Sequence, residues 1–120
     1  PSILAEDGPP LLHANGQCLD DNRFMTMAFR VREEYLPLMA GVINIDGTCR
    51  PQFVKEENPA YRELLLALKA ELGYGVVLNT SFNIHGEPLV CTPAEALKML
   101  RQTGIRYLFL EDVLVENLAA

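Results

Sequence analysis

Apolar positions fall into short clusters separated by turn-forming residues. The clearest cluster is Tyr61, Leu64, Leu65, Leu68 and Leu72, whose three- and four-residue spacing marks one face of a helix. Asn58 stands where an N-cap belongs. Pro59 occupies the first helical position, where a missing N–H costs nothing, and Gly73 is placed to end the helix. The pattern predicts a helix over 59–72. A second helix, over 93–103, opens on Thr92-Pro93-Ala94-Glu95, the signature of a capping box. Leu97 and Leu100 form its apolar stripe and Gly104 closes it.

The remaining apolar runs are shorter and read as strands: 24–29, 41–45, 48–54, 76–79, 106–110 and 113–115. Asp46-Gly47 lies between two of them. Both residues tolerate positive φ, so a hairpin of 41–45 and 48–54 is predicted, interrupted or at an edge at Pro51. The continuous run Val76-Val77-Leu78-Asn79 suits a central strand buried on both faces. Val31 to Leu36 reads as a short helical turn. Residues 1–22, with Gly8-Pro9-Pro10, Asn15-Gly16 and Asp20-Asp21-Asn22, read as an irregular loop. No internal repeat is present. The order of elements points to an α/β or α+β fold, an open sheet with helices packed on it.

Composition narrows the classes. A chain of 120 residues with 49 % apolar and 22 % charged residues is one ordinary globular domain, with no sign of disorder or low complexity. Ten basic and sixteen acidic residues give a net charge of −6. No basic stripe exists, which argues against nucleic acid and against an anionic membrane surface. The apolar runs are far too short for a spanning helix. Three cysteines, Cys18, Cys49 and Cys91, form no C-x-x-C and suit reduced cytoplasmic thiols, and Cys49 and Cys91 read as packed rather than nucleophilic. His13 and His85, the two histidines, lie far apart in sequence, so a structural zinc site is not expected. Asn79-Thr80-Ser81 matches the glycosylation pattern, a coincidence in a cytoplasmic chain. The sequence opens at Pro1 without methionine and reads as a piece of something longer.

Two segments carry candidate chemistry. The first runs from Leu78 to Pro88. It leaves a strand, turns at Gly86, and offers Asn79, Thr80, Ser81 and Asn83 as small polar groups. Such groups can donate to an anion and allow close backbone approach, though they also build ordinary Asx and Ser turns. His85 adds a group able to meet a phosphate, or is simply an exposed turn histidine. The second segment is Asp46-Gly47-Thr48-Cys49-Arg50-Pro51-Gln52. The Arg50 guanidinium can grip phosphate or carboxylate with two parallel hydrogen bonds, or can simply be a surface arginine on a hairpin.

Taken together, five runs resemble the C-terminal domain of the O-carbamoyltransferases, enzymes of nodulation-factor and antibiotic biosynthesis. They are Arg23 to Phe29, Val31-Arg32-Glu33-Glu34, Asp46 to Gln52, Glu57 to Tyr61, and Leu78 to Pro93. Leu-Asn-Thr-Ser-Phe-Asn followed by Gly-Glu-Pro and Cys-Thr-Pro is the most specific of these. The resemblance covers residues 1–120, here as an incomplete domain.

The resemblance implies a YrdC-like nucleotide-binding fold that takes ATP and carbamoyl phosphate to a carbamoyl-adenylate. It implies a preceding, divalent-metal-dependent domain of the actin and sugar-kinase type, which passes the carbamoyl group to a hydroxyl acceptor. No metal is expected on residues 1–120 themselves. The Ser-x-Asn element of YrdC-like proteins maps onto Ser81 and Asn83, and the arginine after Asp-Gly-Thr onto Arg50. Arg50, Ser81 and Asn83 are then the implied catalytic residues. Asn79, Thr80 and His85 join them in binding nucleotide and carbamoyl phosphate. A homodimer is compatible with the family.

Two departures stand out. Asn44 replaces the family's histidine before Asp-Gly-Thr, and an amide cannot carry a proton as an imidazole can. A basic segment that lies upstream in the family, implied to bind phosphates, is absent from this sequence. The alternatives are a YrdC-like domain of another lineage, in tRNA threonylcarbamoylation or hydrogenase maturation, and a non-catalytic interaction module. Residues 1–120 alone are not expected to transfer carbamoyl groups.

Overall fold

A computed structural model describes residues 1–14, 16 and 22–120. The chain divides into two compact units, Pro1–Asn79 and Thr80–Ala120. The turns expected around Asn15 and Asp20-Asp21, and Cys18, lie outside the described residues.

The first unit is built on β1 (Ser2–Leu4), followed by the short α1 (Gly8–Leu11), β2 (Leu12–His13), β3 (Phe29–Val31), β4 (Thr48–Cys49), β5 (Gln52–Val54), α2 (Pro59–Leu72) and β6 (Val76–Val77). β1 is the middle strand of a three-stranded mixed sheet. It pairs parallel with β5, Ser2 opposite Gln52 and Leu4 opposite Val54, and antiparallel with β6. β2, β3 and β4 form a second, antiparallel sheet in that order.

Residues 2–4 are fully buried, so the segment expected to be an irregular loop instead supplies the central strand. Three residues carry too little local signal to announce a strand; pairing on both sides creates it. For the same reason β6 is shorter than expected, lies at the side of its sheet and is only half-buried.

One core cluster joins Ile3, Leu11, Leu12, Phe29, Val31, Met39, Cys49 and Phe53. Phe29 and Phe53 meet edge to face with centroids 6.1 Å apart, a favoured aromatic geometry. A second cluster joins Leu4, Val54 and Leu65, with Tyr61, Leu68 and Val77 packed on it. α2 keeps the predicted limits, and Gly73 ends it at φ +85°. Its buried face is narrower than the apolar count suggested. Tyr61, Leu65 and Leu68 face the sheet, while Leu64 and Leu72 are exposed. Asn58 sits at the N-cap position, but its side chain makes no capping hydrogen bond.

The Asp46-Gly47 turn forms as predicted. Gly47 adopts φ +76° and donates its N–H to Asn44 O at 3.0 Å. Asp46 Oδ1 accepts from the Thr48 N–H at 2.9 Å and from its hydroxyl at 2.7 Å. The predicted strand over 41–45 does not form. Residues 39–42 close a turn through Val42 N–H to Met39 O, and β4 takes β3 as its partner. Likewise the strand expected over 24–29 begins only at Phe29, because Asn22 holds the preceding residues in turns. The break at Arg50-Pro51 between β4 and β5 is where Pro51 placed it. Glu33–Tyr35 is a single 3-10 turn, as expected of 31–36.

The second unit contains α3 (Pro93–Thr103) and a hairpin of β7 (Tyr107–Leu110) with β8 (Val113–Glu116). α3 begins with the predicted capping box and ends at Gly104, φ +69°. Its buried residues are Ala96, Met99 and Leu100, so the stripe lies one position away from the expected Leu97. The α/β class holds, with the strands among the described residues shared between two three-stranded sheets and a hairpin rather than one open sheet. No helix among the described residues is long and apolar enough to cross a membrane.

Candidate functional site

A cavity of the first unit, about 530 Å³, is lined by Phe24, Met25, Asn44, Arg50 and Asn79 together with the 41–43 turn. Its walls come from separate parts of the sequence. Arg50 stands in the break between β4 and β5. Pro51 follows it and restricts Arg50 to extended backbone, which stiffens the base of the guanidinium. The side chain is exposed, and among the described residues no carboxylate lies within ion-pair distance of it. Asn44 reaches the same cavity, with its amide donating to the Thr48 hydroxyl at 3.1 Å.

Asn79 follows β6 and is half-buried. Both ends of its amide are engaged. Oδ1 accepts from the Ser2 hydroxyl at 2.7 Å. Nδ2 donates to Gln52 Oε1 at 3.0 Å and to Met25 Sδ at 3.4 Å. Asn79 therefore braces β1, β5 and the Phe24-Met25 wall against each other. The donor role expected for it is filled by protein partners.

The wall itself is set by a residue that sequence reasoning did not single out. Asn22 is fully buried. Its Oδ1 accepts from Thr26 N–H at 3.1 Å, Thr26 Oγ1 at 3.1 Å and Met27 N–H at 3.2 Å. Its Nδ2 donates to Pro51 O at 2.8 Å and Met27 O at 3.3 Å. Between these anchors Met25 is held at φ +56°, an uncommon conformation for a residue with a side chain. The signal available in the sequence was an asparagine just ahead of a short polar-apolar turn, a placement that suits side-chain-to-backbone capping.

Thr80, Ser81, Asn83 and His85 belong to the second unit. Thr80, Ser81 and His85 are exposed. The loop closes through Val90 N–H to Phe82 O and Glu87 N–H to Ile84 O, both 2.9 Å, with Gly86 at φ +85°. Asn83 Nδ2 donates to Ile84 O at 3.1 Å and Glu87 O at 2.9 Å, so its amide hydrogens shape this turn. Its Oδ1 is buried and has no hydrogen-bond partner among the described residues.

Of the thiols, Cys49 is buried at the cavity floor, and burial pushes it above the ordinary thiol range, away from nucleophilic character. Cys91, expected to be packed, is exposed, and its thiol donates to Leu89 O at 3.4 Å.

The family model described as carbamoyltransferase C-terminus matches residues 1–117. An uncharacterised protein of Methanocaldococcus jannaschii is 39 % identical over 118 residues, 98 % of this chain and 19 % of its own length. Nodulation protein NolNO of Sinorhizobium fredii is 34 % identical over 125 residues, covering 100 % of this chain and 18 % of the relative. The 3'-hydroxymethylcephem-O-carbamoyltransferase of Amycolatopsis lactamdurans is 31 % identical over 93 residues, 77 % of this chain and 18 % of the enzyme. The chain thus spans about one fifth of the length of the curated relatives it matches. Matched over nearly its whole length, it belongs to the carbamoyltransferase C-terminus family.

Proposed function

We propose that this domain activates a carbamoyl group with ATP, and that a preceding domain of the enzyme chain passes it to a hydroxyl acceptor. Water first splits carbamoyl phosphate into carbamate and phosphate. A carbamate oxygen then attacks the α-phosphorus of ATP, the bond to the bridging oxygen breaks, and pyrophosphate leaves carbamoyl-adenylate behind. Negative charge concentrates on phosphoryl oxygens throughout, so fixed positive charge and aimed donors are what the chemistry needs. Arg50 supplies the charge in this reading. Ser81, Asn83, Thr80 and His85 form the second group of contacts, as the family resemblance implies, and the divalent metal serves the preceding domain.

The observation that carries the reading is Arg50 itself. It is an exposed guanidinium on stiff backbone at an open cavity, with no carboxylate partner among the described residues. An arginine of this kind has charge to offer an anionic ligand. Asn44 on the same wall cannot relay a proton, so the cavity acts through electrostatics and orientation.

The test is ATP–pyrophosphate exchange, with carbamoyl phosphate present, by the complete enzyme chain. Arg50→Ala should lower exchange by roughly ten- to a hundredfold, the loss of a charge-assisted contact of about 1.5–3 kcal/mol. Ser81→Ala should depress it with the fold intact, and Asn83→Ala should depress it while also loosening the turn that its amide shapes. Wild-type exchange in all three variants would remove the assignment.

A further inference from the structure

We infer that Asn22 is a positioning residue of the cavity, holding Arg50 and the Phe24-Met25 wall in one fixed relation. This rests on the role proposed above for Arg50. The argument begins with hydrogen-bond capacity. The groups around the Asn22 side chain sort into donors on one side, Thr26 N–H, Thr26 Oγ1 and Met27 N–H, and carbonyls on the other, Pro51 O and Met27 O. That arrangement fixes which end of the amide is nitrogen. It also demands a side chain that both accepts and donates at the same short reach. Aspartate lacks the donor, and glutamine is one methylene too long for donors and carbonyls held at this reach in a fully buried site.

The two sides of the amide lead to the two walls of the cavity. The accepting side fixes the turn that presents Phe24 and Met25. The donating side holds the carbonyl of Pro51, the residue that follows Arg50. The backbone of Asn22 adds a third tie, its carbonyl accepting from Phe53 N–H at 3.1 Å in β5. Met25 Sδ in turn meets Asn79 Nδ2 on the far wall. A single buried amide therefore links the chain at 22–27 to the chain at 50–53 beside the guanidinium. Buried polar groups that are fully satisfied specify one arrangement of the backbone around them. Displacing the Arg50–Pro51 segment by about 1 Å is enough to change ligand binding severely.

The test is made in the complete enzyme chain with Asn22→Asp, which keeps the shape and the acceptor and removes the donor to Pro51 O. A purely structural loss lowers the folded fraction and with it the maximal rate, leaving KM unchanged. Mispositioning raises KM for carbamoyl phosphate, here by roughly ten- to a hundredfold. Circular dichroism reports folding in parallel. Because Asn22→Asp also buries a charge, Thr26→Val provides a milder arm. It removes only the hydroxyl that donates to Oδ1, and should raise KM by about two- to threefold. Arg50→Ala is run beside them. If Arg50→Ala leaves KM unchanged, the role of Arg50 has failed. If Arg50→Ala raises KM while the folded variants Asn22→Asp and Thr26→Val bind as wild type, the inference about Asn22 is overturned.

Discussion

At the scale of single residues, the cavity separates side chains that hold the protein from side chains left to hold something else. Asn79 and Asn22, at the cavity and behind its wall, spend their amide hydrogens on partners within the protein, and Asn83 does the same inside the second unit. Arg50 does not. Close packing sets a second kind of residue-scale constraint, clearest at Gly75. A Cβ there would lie 2.6 Å from the Leu65 carbonyl oxygen and 3.2 Å from Leu4 Cδ1. The first of these is backbone in the middle of α2 and cannot step aside. Gly75→Ala should therefore push the helix away from β1 and destabilise the first unit by roughly 1–3 kcal/mol. Urea titration of the variant checks this, and unchanged stability would mean that α2 sits more loosely than its contacts indicate.

Among the elements, helix ends were the most legible features because their causes lie within four residues of chain. Glu95 accepts from Cys91 N–H at 2.9 Å and Thr92 N–H at 3.0 Å, and Thr92 Oγ1 accepts from Glu95 N–H at 3.3 Å. The backbone hydrogen bond from Cys91, and then those from Thr92, hold the Glu95 carboxyl below the ordinary range. A carboxyl with a depressed folded pKa stabilises at pH values above the ordinary glutamate value of about 4.3. That contribution fades as pH falls through its folded value. Urea titrations should therefore show wild type more stable than Glu95→Gln at neutral pH, with the gap closing below about pH 4. No gap at neutral pH would assign the cap to the Thr92 hydroxyl alone, and a gap that persists in acid would mean that the carboxylate charge is not its source.

Strands had no such local cause. Ser2–Leu4 becomes a central strand through partners about fifty and seventy-five residues away, and 41–45 loses its expected place because β3 is the better partner for β4. The candidate site divides in the same way. Arg50 and Asn79 were readable as chemistry-bearing types in short motifs, whereas Asn22 acquires its role only from carbonyls brought to it by folding.

On the scale of the whole molecule, the two units differ in what holds them. Both core clusters, one around Phe29 and Phe53 and the other around Leu65, lie within residues 1–79. Residues 80–120 bury Ala96, Met99 and Leu100, while Phe109, Val113, Leu114 and Leu118 remain more than half exposed. A two-stranded hairpin is marginal in water by itself and needs a third strand or a covering helix. A segment of about forty residues with no disulfide or metal rarely buries enough apolar surface to offset its chain entropy. The capping box and the Gly104 terminus give α3 local support, but capping contributes only about 1 kcal/mol, far less than ordering the segment costs. Residues 80–120 prepared alone should therefore give a disordered far-ultraviolet circular dichroism spectrum. They should lose any residual signal gradually on heating, without a sigmoidal step. A cooperative thermal transition in that peptide would show that the hairpin and α3 form a self-sufficient unit. It would also make the 82–90 loop, which carries Asn83 and His85, a separately folded module of the carbamoyltransferase C-terminus rather than one dependent on its surroundings.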